Sequence, residues 1–551
     1  MTRTEPAAAT APPDRAAQSP LRPRVWAALA AAAVITAVSI MQLRALAPGA
    51  LSGDLGIQYH LAAATARGSV PLLDFHHTWN VASWYFSAAL YRVAGGDATI
   101  WVWLWAGVTG RLLAGLAAIG IAWRLRLRAP WILVVAGSWL ALSHVLHSKY
   151  AVPILWLLAV LPVGVGAGAR PAIAVRAALG AITFLAHVEL AVLLAAGTAL
   201  FDLFGARDLG RRERLLRASA APAGMLLALG GQTAIYAALG LTPSRLLSQI
   251  LLDPGATFEA FNFGYPLLLP ANLRPLLFPV SVIVPFVPLI WRRLSDPARM
   301  TAFLHLALSL IAIRRVDPAH VDAATTLLGL LAALVAHDLL TAGRPVQRRP
   351  DALPSRIGLA ILGGAWLALA ITAGFRIPSL LAIVGLTLLA LGGVAVARRS
   401  DATWASAGAL AAAAVLLVAG AANRVAEQAR SGDDDSAAQQ IAAGVAGPLR
   451  ECIGEDERVW VVPEPLGLYD SLGVRNPTPY WVFWYGFATQ HDEVRDLIGQ
   501  GEIPAILQVG DSWPASFDGL GDDIEAAYSP CATVELSAVA GSATVWIHPR
   551  D

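Results

Sequence analysis

Four side chains that could do chemistry lie close together early in the sequence. Asp54 opens the segment DLGIQYH, and Asp74, His76 and His77 follow in the segment DFHH. A carboxylate can take up a proton as a general base, and Asp54 is the candidate for that role, with helix capping as its alternative. Asp54, His76 and His77 could also bind a divalent metal. Their spacing matches no specific zinc pattern, so metal dependence stays open.

The residues around Asp54 predict the element that carries it. Ser52 or Asp54 can cap a short amphipathic helix that ends near Gly68, after which Pro71 breaks the chain. We expect this helix to lie along the bilayer surface with Asp54 at its N-terminal end. Asp74, which follows Pro71, would then line a substrate pocket together with the two histidines.

A second polar group, Arg314, Arg315, Asp317 and His320, stands between two apolar runs. Two guanidinium groups and an imidazole are suited to bind a phosphate through bidentate and charge-assisted hydrogen bonds. Asp317 would line the neighbouring pocket. The alternative is that the arginines only reach towards lipid headgroups.

Lys149 is the only lysine of the chain and offers a further phosphate contact. His144 and His147 precede it on the neighbouring helical turns. We therefore expect both histidines to line the same pocket.

The elements that must position these residues are apolar. The chain has 551 residues, of which 56% are hydrophobic and 14% charged, and its mean hydropathy is +0.59. Soluble domains carry roughly 25% charged residues, so a conventional soluble protein is excluded. We predict a mainly α-helical polytopic membrane protein with about thirteen transmembrane helices. The apolar runs lie near residues 25–47, 98–123, 130–147, 150–167, 171–205, 218–240, 275–291, 300–313, 319–340, 357–374, 378–397 and 403–422.

Two charged features interrupt the apolar runs. The run 171–205 is too long for one span, and we split it into two near His187, with Glu189 just beyond. Ionisable residues at membrane depth are functional candidates, and Glu189 is expected in the substrate pocket. The alternative is that His187 and Glu189 pair structurally with Arg111, which falls inside the run 98–123.

Arginine is concentrated in every second loop, for example at 124–128 and at 170–176. By the positive-inside rule the N-terminus is cytoplasmic, and an odd number of spans puts the C-terminal tail outside. The basic residues are scattered and form no stripe, so nucleic-acid binding is not expected. The predicted domains are a disordered cytoplasmic N-terminus (1–24), a transmembrane domain (25–423) with a first extracytoplasmic loop (48–97), and an extracytoplasmic α/β domain (424–551).

The tail agrees with an outside location. It holds 21 Asp or Glu and seven Arg, and it contains both cysteines of the chain, Cys452 and Cys531. An even pair in an exported segment predicts a disulfide, with two buried free thiols as the alternative. Alternating apolar residues predict strands near 458–462 and 503–509 and a hairpin of 533–536 with 544–547.

The run PYWVFWYGF at 479–487 is the most aromatic part of the tail. Trp481 and Trp484 could stack on the faces of an acceptor sugar. The alternative is that this run forms the interface between tail and membrane core.

These features together resemble the GT-C superfamily of membrane glycosyltransferases, in particular bacterial members that use polyprenyl-phosphate-linked sugars. The matching motifs are the early Gly53-Asp54, a Pro-x-x-Asp-Phe at 71–75, and an Arg-x-Asp-x-x-His at 315–320. The sequence NPTP at 476–479 is also similar to a segment in the tails of such enzymes. Many members carry an acidic dipeptide in the first loop, whereas Asp54 is followed by Leu55.

The resemblance implies transfer of a sugar from a polyprenyl phosphate donor to an extracytoplasmic glycan, lipid or protein, usually with inversion. No nucleotide sugar is available on that face of the membrane. Asp54 would be the base, and Arg314, Arg315, Lys149 and His320 would surround the donor phosphate. The sugar and the acceptor are not specified.

Two other classes remain as alternatives. A transporter or flippase of lipid-linked sugars would carry ionisable residues near the bilayer midplane and often an inverted repeat. A scaffold protein would use the tail to bind cell-wall glycan.

Overall fold

The computed structural model describes residues 21–45, 53–75, 80–142, 148–164, 169–206, 209–252, 294–311, 326–341, 440–462, 467–478, 488–513, 519–536 and 541–549. The N-terminal part of these residues is helical and the C-terminal part contains a small sheet. The predicted spans at 275–291, 357–374, 378–397 and 403–422 lie outside the described residues.

The helices of the N-terminal part follow one another closely. They are α1 (Leu21–Ala45), α2 (Gly53–Ala66), α3 (Val81–Val93), α4 (Ala98–Arg124), α5 (Ala129–Leu142), α6 (Val152–Gly164), α7 (Ala169–Ala186), α8 (Val188–Gly205), α9 (Arg211–Ala238), α10 (Pro243–Leu247), α11 (Asp296–Ser309) and α12 (Leu328–Thr341). Within the described ranges, α1, α4, α7 and α8 are the four that are long and apolar enough to cross a membrane. The protein is thus a helical membrane protein, as its composition predicts.

His187 separates α7 from α8, as the sequence analysis predicts. Its backbone is extended, and its ring nitrogen Nδ1 accepts a hydrogen bond from the backbone N–H of Leu190. This bond satisfies one of the donors that the first turn of α8 leaves unpaired. A polar residue in an apolar stretch here marks the turn between two helices.

Helices α7 and α9 run in the same direction and approach each other through small residues. A Cβ added to Gly180 would lie 2.2 Å from the carbonyl oxygen of Ala221, and one added to Gly224 would lie 1.9 Å from that of Ala177. Neither glycine can therefore carry a side chain without moving the helices apart. Small residues at such crossings let helix backbones pack closely in a membrane, where the solvent gives no hydrophobic drive.

Arg176, which the sequence analysis placed in a loop, lies well inside a helix. Arg176 belongs to α7, and its guanidinium binds both carboxylate oxygens of Asp202 at 2.7 and 2.8 Å. Both side chains are fully buried. The loop assignment is wrong for Arg176, because a partner in α8 allows the charge to enter the helix bundle.

The C-terminal part is an α/β unit that begins with a helix over 440–453. Its strands are β1 (Val459–Val462), β2 (Ala505–Val509), β3 (Ser529–Leu536) and β4 (Gly541–Ile547), in the order β1-β2-β4-β3. Strands β1 and β2 are parallel and the other pairs antiparallel. The helix over 440–453 is α13. The unit also contains α14 (Gly467–Leu472), α15 (Ala488–Gly499) and α16 (Leu520–Ala527). The predicted strands and hairpin are confirmed.

A disulfide bond joins Cys452 of α13 to Cys531 of β3, with their Cα atoms 6.0 Å apart. It closes a chain separation of 79 residues. The bond ties the first helix of the C-terminal unit to the edge strand of its sheet.

Candidate active site

Asp54 lies in the first turn of α2, at the position where the sequence predicts a general base. The unpaired N–H groups of a helix N-terminus favour a negative charge there. The side chain of Asp54 lies outside the described part of the chain, so its role stays a prediction.

Helix α2 is enclosed on all sides, because every residue from 56 to 65 is buried. Leu61 and Ala62 share one hydrophobic core with Trp105 of α4 and with Val445 and Leu507 of the C-terminal unit. The expectation of an amphipathic helix with one exposed face is therefore wrong, while its place along the bilayer surface stays a prediction. The aromatic residues of α4 and the core of the C-terminal unit cover α2, which the sequence analysis expected to be exposed on one side.

Specific contacts hold α2 in this enclosure. Gln58, one turn after Asp54, accepts a hydrogen bond of 2.6 Å from the indole N–H of Trp105. Tyr59 donates to the carbonyl of Gly96 at 2.5 Å. The ring of His60 lies edge-on to Tyr469 of the C-terminal unit, with 6.0 Å between ring centres. The start of α2 is thus fixed from both sides.

Helix α4 contains a π-helical segment, Trp103–Leu112, that includes Trp105 and the buried Arg111. Such segments are rare and frequently occur at functional sites. The carbonyl of Arg111 accepts a hydrogen bond from Trp139, one turn from the end of α5. The short helical turn Ser148–Ala151, which carries the half-buried Lys149, packs against the same π-helical segment.

The chain after α2 forms a tight turn that is anchored to α9. Asp74 is exposed and accepts a hydrogen bond of 2.6 Å from the backbone N–H of Val70. Leu72 adopts a positive φ of 68° in this turn. Tyr236 of α9 donates to the carbonyl of Pro71 at 2.5 Å. One oxygen of Asp74 therefore shapes the turn, and its predicted place in a substrate pocket stays a prediction.

Asn80 fastens the other end of this loop. Its side chain caps α3, donates to the carbonyl of Phe184, and exchanges two hydrogen bonds with the amide of Gln232. The carbonyl of Ala186 accepts a bond of 2.8 Å from Ser83. The start of α3 is thus bound to the corner between α7 and α8, next to His187.

Glu189 lies in the first turn of α8 and is half-buried. His187 precedes it at the same corner and is 9% exposed. His77 is only three residues before Asn80 in sequence, a span of at most ~11 Å of chain. Glu189 therefore lies next to the corner that binds Asn80, the first described residue after the DFHH segment.

The remaining predicted site residues lie outside the described part of the chain. They are His76, His77, His144, His147, Arg314, Arg315, Asp317, His320, Trp481 and Trp484. Among the described residues, no group of three His, Cys, Asp or Glu could hold a metal ion. The metal prediction for Asp54, His76 and His77 therefore remains open.

The sequence analysis missed α3 and the polar residues that support the loop. Asn80 followed by VASWYFSAAL has the pattern of an N-cap before an apolar helix, and this signal was present in the sequence. The bonds of Gln58 and Gln232 join residues far apart in sequence, so no local pattern indicates them.

No protein-family model and no curated protein matches this chain. Solved structures do match. ArnT from Cupriavidus metallidurans in the apo state is 15% identical, with a TM-score of 0.51, over 94% of this chain and 99% of that one. ArnT bound to undecaprenyl phosphate is 14% identical, with the same TM-score and coverage.

The fold is therefore that of the two ArnT structures. The chain shares this architecture over nearly its whole length. At this level of identity the likeness establishes the fold.

Proposed function

We propose that this chain is a glycosyltransferase that moves a sugar from a polyprenyl phosphate donor to an extracytoplasmic acceptor. The observation that carries the proposal is the enclosure of α2. This helix, which has Asp54 in its first turn, is held between the C-terminal unit and the π-helical segment that contains Arg111. A fold match to an ArnT structure that holds undecaprenyl phosphate supports the class of donor.

Asp54 would act as the base. Its carboxylate takes the proton of an acceptor hydroxyl, the acceptor oxygen bonds to the anomeric carbon of the donor, and the bond from that carbon to the phosphate oxygen breaks. The polyprenyl phosphate leaves with the electron pair of that bond. Attack opposite the leaving phosphate inverts the anomeric centre.

Cations would stabilise the departing phosphate. Lys149 and Arg111 lie on segments that pack against each other, and Arg111 is about 20 Å of helix from Arg124 at the end of α4. If Arg124 lies at the cytoplasmic surface, this distance along α4 puts Arg111 in the outer half of a hydrocarbon layer that is ~30 Å thick. Arg111 then lies on the same side of the membrane as the predicted site, and we add it to Lys149 as a candidate phosphate contact.

The direction of α11 supports a place for Arg314, Arg315 and His320 in the same site. Helix α11 packs antiparallel to α8, since a Cβ on Gly197 would lie 3.0 Å from the Cα of Leu304 and the Phe201 and Phe303 rings are in contact. The C-terminal end of α11 therefore lies towards the end of the bundle where α8 begins with Glu189. Asp317, His144 and His147 would line the pocket there with His76 and His77.

A transporter remains the alternative. The fully buried pair of Arg176 and Asp202 is an intramembrane ionisable group of the kind that transporters use. Each oxygen of Asp202 already binds the same guanidinium, however, and Asp202 lies at the end of α8 next to the arginine-rich start of α9. This arrangement favours a structural pair at the cytoplasmic end.

The test uses purified protein and a radiolabelled polyprenyl phosphate sugar. A transferase forms labelled product when cell-envelope extract is supplied as acceptor and releases unlabelled polyprenyl phosphate. A flippase in vesicles moves the labelled donor across the bilayer and forms no product. Trp481 and Trp484 are proposed to contact the acceptor, so their alanine variants would weaken acceptor binding and leave donor binding intact.

A further inference from the structure

The sheet of the C-terminal unit has two differently covered faces. Val459, Val461 and Leu507 belong to the core that also holds α2, so they face the membrane helices. Trp460, Ile506 and Trp546 belong to a separate core with α15 and α16. Because successive side chains of a strand point to opposite faces, Gln508 and Thr544 share the second face, away from α2.

A cleft of about 420 Å³ opens on this second face. Small-molecule sites in proteins have volumes of ~300–1,000 Å³, so the cleft can hold one or a few sugar units. It is lined by Gln508, Gly510, Asp511, Ser512, Trp513, Glu525, Ser542, Thr544 and Trp546.

Two tryptophans form one wall of the cleft. Trp513 and Trp546 have ring centres 5.8 Å apart at an angle of 40°. Trp513 donates its indole N–H to Glu525, and Trp546 donates its own to Gln508, both at 2.9 Å. Hydrogen bonds therefore fix the edges of both rings, and the half-buried rings offer apolar faces to a ligand.

The backbone of α16 supports Trp513 closely. A Cβ on Gly521 would lie 2.6 Å from Cδ1 of Trp513. Only glycine allows the indole to rest on the helix at this point. The position of the ring is thus built into the fold.

Polar groups surround the two rings. Oδ1 of Asp511 accepts bonds of 2.9 Å from the backbone N–H and the hydroxyl of Ser542. Oδ2 of Asp511 and the second oxygen of Glu525 have no hydrogen bond with another described residue. Fixed carboxylate oxygens beside aromatic faces can accept bonds from neighbouring hydroxyl groups of one sugar ring while its C–H face rests on the indoles.

The charges of the residues that line the cleft indicate which ligands it can bind. Among the described residues, two carboxylates and no Lys or Arg line the cleft. A phosphate or a sugar acid would meet like charges without a cation, which disfavours binding. An uncharged sugar meets hydrogen-bond acceptors and apolar rings and carries no charge to be repelled.

We propose that the Trp513–Trp546 cleft is a binding site for an uncharged saccharide unit of a glycan. It lies on the face of the sheet opposite α2, so it would hold a glycan chain at a distance from Asp54. The proposal does not rest on the transferase reaction, because binding is measured without donor.

The test uses the full-length protein in a detergent without a sugar headgroup. Mannotriose, arabinotriose and cellotriose are titrated while tryptophan fluorescence and saturation-transfer NMR are recorded, with trigalacturonate as the anionic probe. We expect at least one neutral trisaccharide to bind at millimolar concentration and trigalacturonate not to bind. Absence of binding by all three neutral probes, or tighter binding of the anionic one, would overturn the proposal.

Variants locate the binding in the cleft. Trp546→Ala should weaken binding by roughly tenfold or more. Gly521→Ala, whose new methyl group would displace the side chain of Trp513, should weaken it as well. Glu525→Gln should weaken it less. Asp522→Asn, on the same helix but outside the cleft, is the matched control and should bind normally. If Trp546→Ala lowers the melting temperature, its weaker binding could come from unfolding, and the test then depends on Gly521→Ala and Glu525→Gln. Normal saccharide binding by both of these variants would contradict a binding site in the cleft.

Discussion

The side-chain amides of Asn80 and Gln232 bind each other reciprocally: Asn80 Nδ2 donates to Gln232 Oε1 at 3.1 Å, and Gln232 Nε2 donates to Asn80 Oδ1 at 2.7 Å. Both residues are buried. The pair joins the loop that follows α2 to the helix bundle, so the position of the candidate base depends on α9.

Gln232→Ala should destabilise the protein by about 1–3 kcal/mol, because the amide of Asn80 loses its partner in a buried place. Thermal unfolding in detergent measures the change. Gln500→Ala, at the exposed end of α15, is the control and should leave stability unchanged. Equal melting temperatures for the two variants would show that the amide pair does not hold the loop.

Gly224→Ala should also destabilise, since the new Cβ would lie 1.9 Å from the carbonyl oxygen of Ala177. Overpacking of this kind costs ~1–3 kcal/mol. Gly230→Ala on the same helix meets no atom within 4 Å and should be neutral or stabilising, because alanine favours a helix over glycine by ~1 kcal/mol. The paired unfolding curves test the close crossing of α7 and α9; if both variants behave alike, the crossing is looser than described.

Asp202→Asn should be costly, because it leaves the buried Arg176 without its counter-charge. Breaking a buried ion pair costs ~3–5 kcal/mol. The exposed pair of Arg245 and Glu493, 3.8 Å apart between α10 and α15, gives the contrast. Glu493→Gln should change stability by at most ~1 kcal/mol. A small loss of stability in Asp202→Asn would argue against a structural pair and revive the transporter interpretation.

Replacing Cys452 and Cys531 by Ser should lower the stability of the C-terminal unit by ~2–5 kcal/mol. Reductant should destabilise the original protein and leave the double variant unaffected. Both thiols should resist alkylation in intact cells, because a disulfide in this unit requires an oxidising compartment. Free thiols in freshly isolated membranes would contradict the predicted extracytoplasmic location.

Local patterns predicted the elements well where one signal dominated. The turn at His187 and the strands around Leu507 stand out because a polar residue breaks an apolar run or apolar residues alternate. Helix α3 was missed, since its mixed Ser, Trp and Tyr content does not resemble a span. The burial of α2 could not be predicted, because residues of α4 and of the C-terminal unit create it.

Contacts between residues that are far apart in sequence also limit how well functional sites can be predicted. Asp54 and Lys149 were chosen for residue type and place along the chain, and the structure puts their segments against the same helix, α4. The cleft of Trp513 and Trp546 was not predicted, because these residues are remote in sequence and only the pairing of β2 with β4 brings them together. Arg111 was not predicted as a site residue, since the π-helical segment that contains it leaves no mark in the hydropathy.

The most direct test of the central claim is the rate of sugar transfer by Asp54→Asn. Asparagine has nearly the same size and shape as aspartate but cannot take up the proton, so this change removes the base with little change in packing. Purified variant and original protein are compared with a radiolabelled polyprenyl phosphate sugar and a cell-envelope acceptor, with equal thermal stability as the control. We predict a rate at least ~10²-fold lower for the variant, as for loss of a general base. Full residual activity in the folded variant would contradict the assignment of Asp54 as the catalytic base.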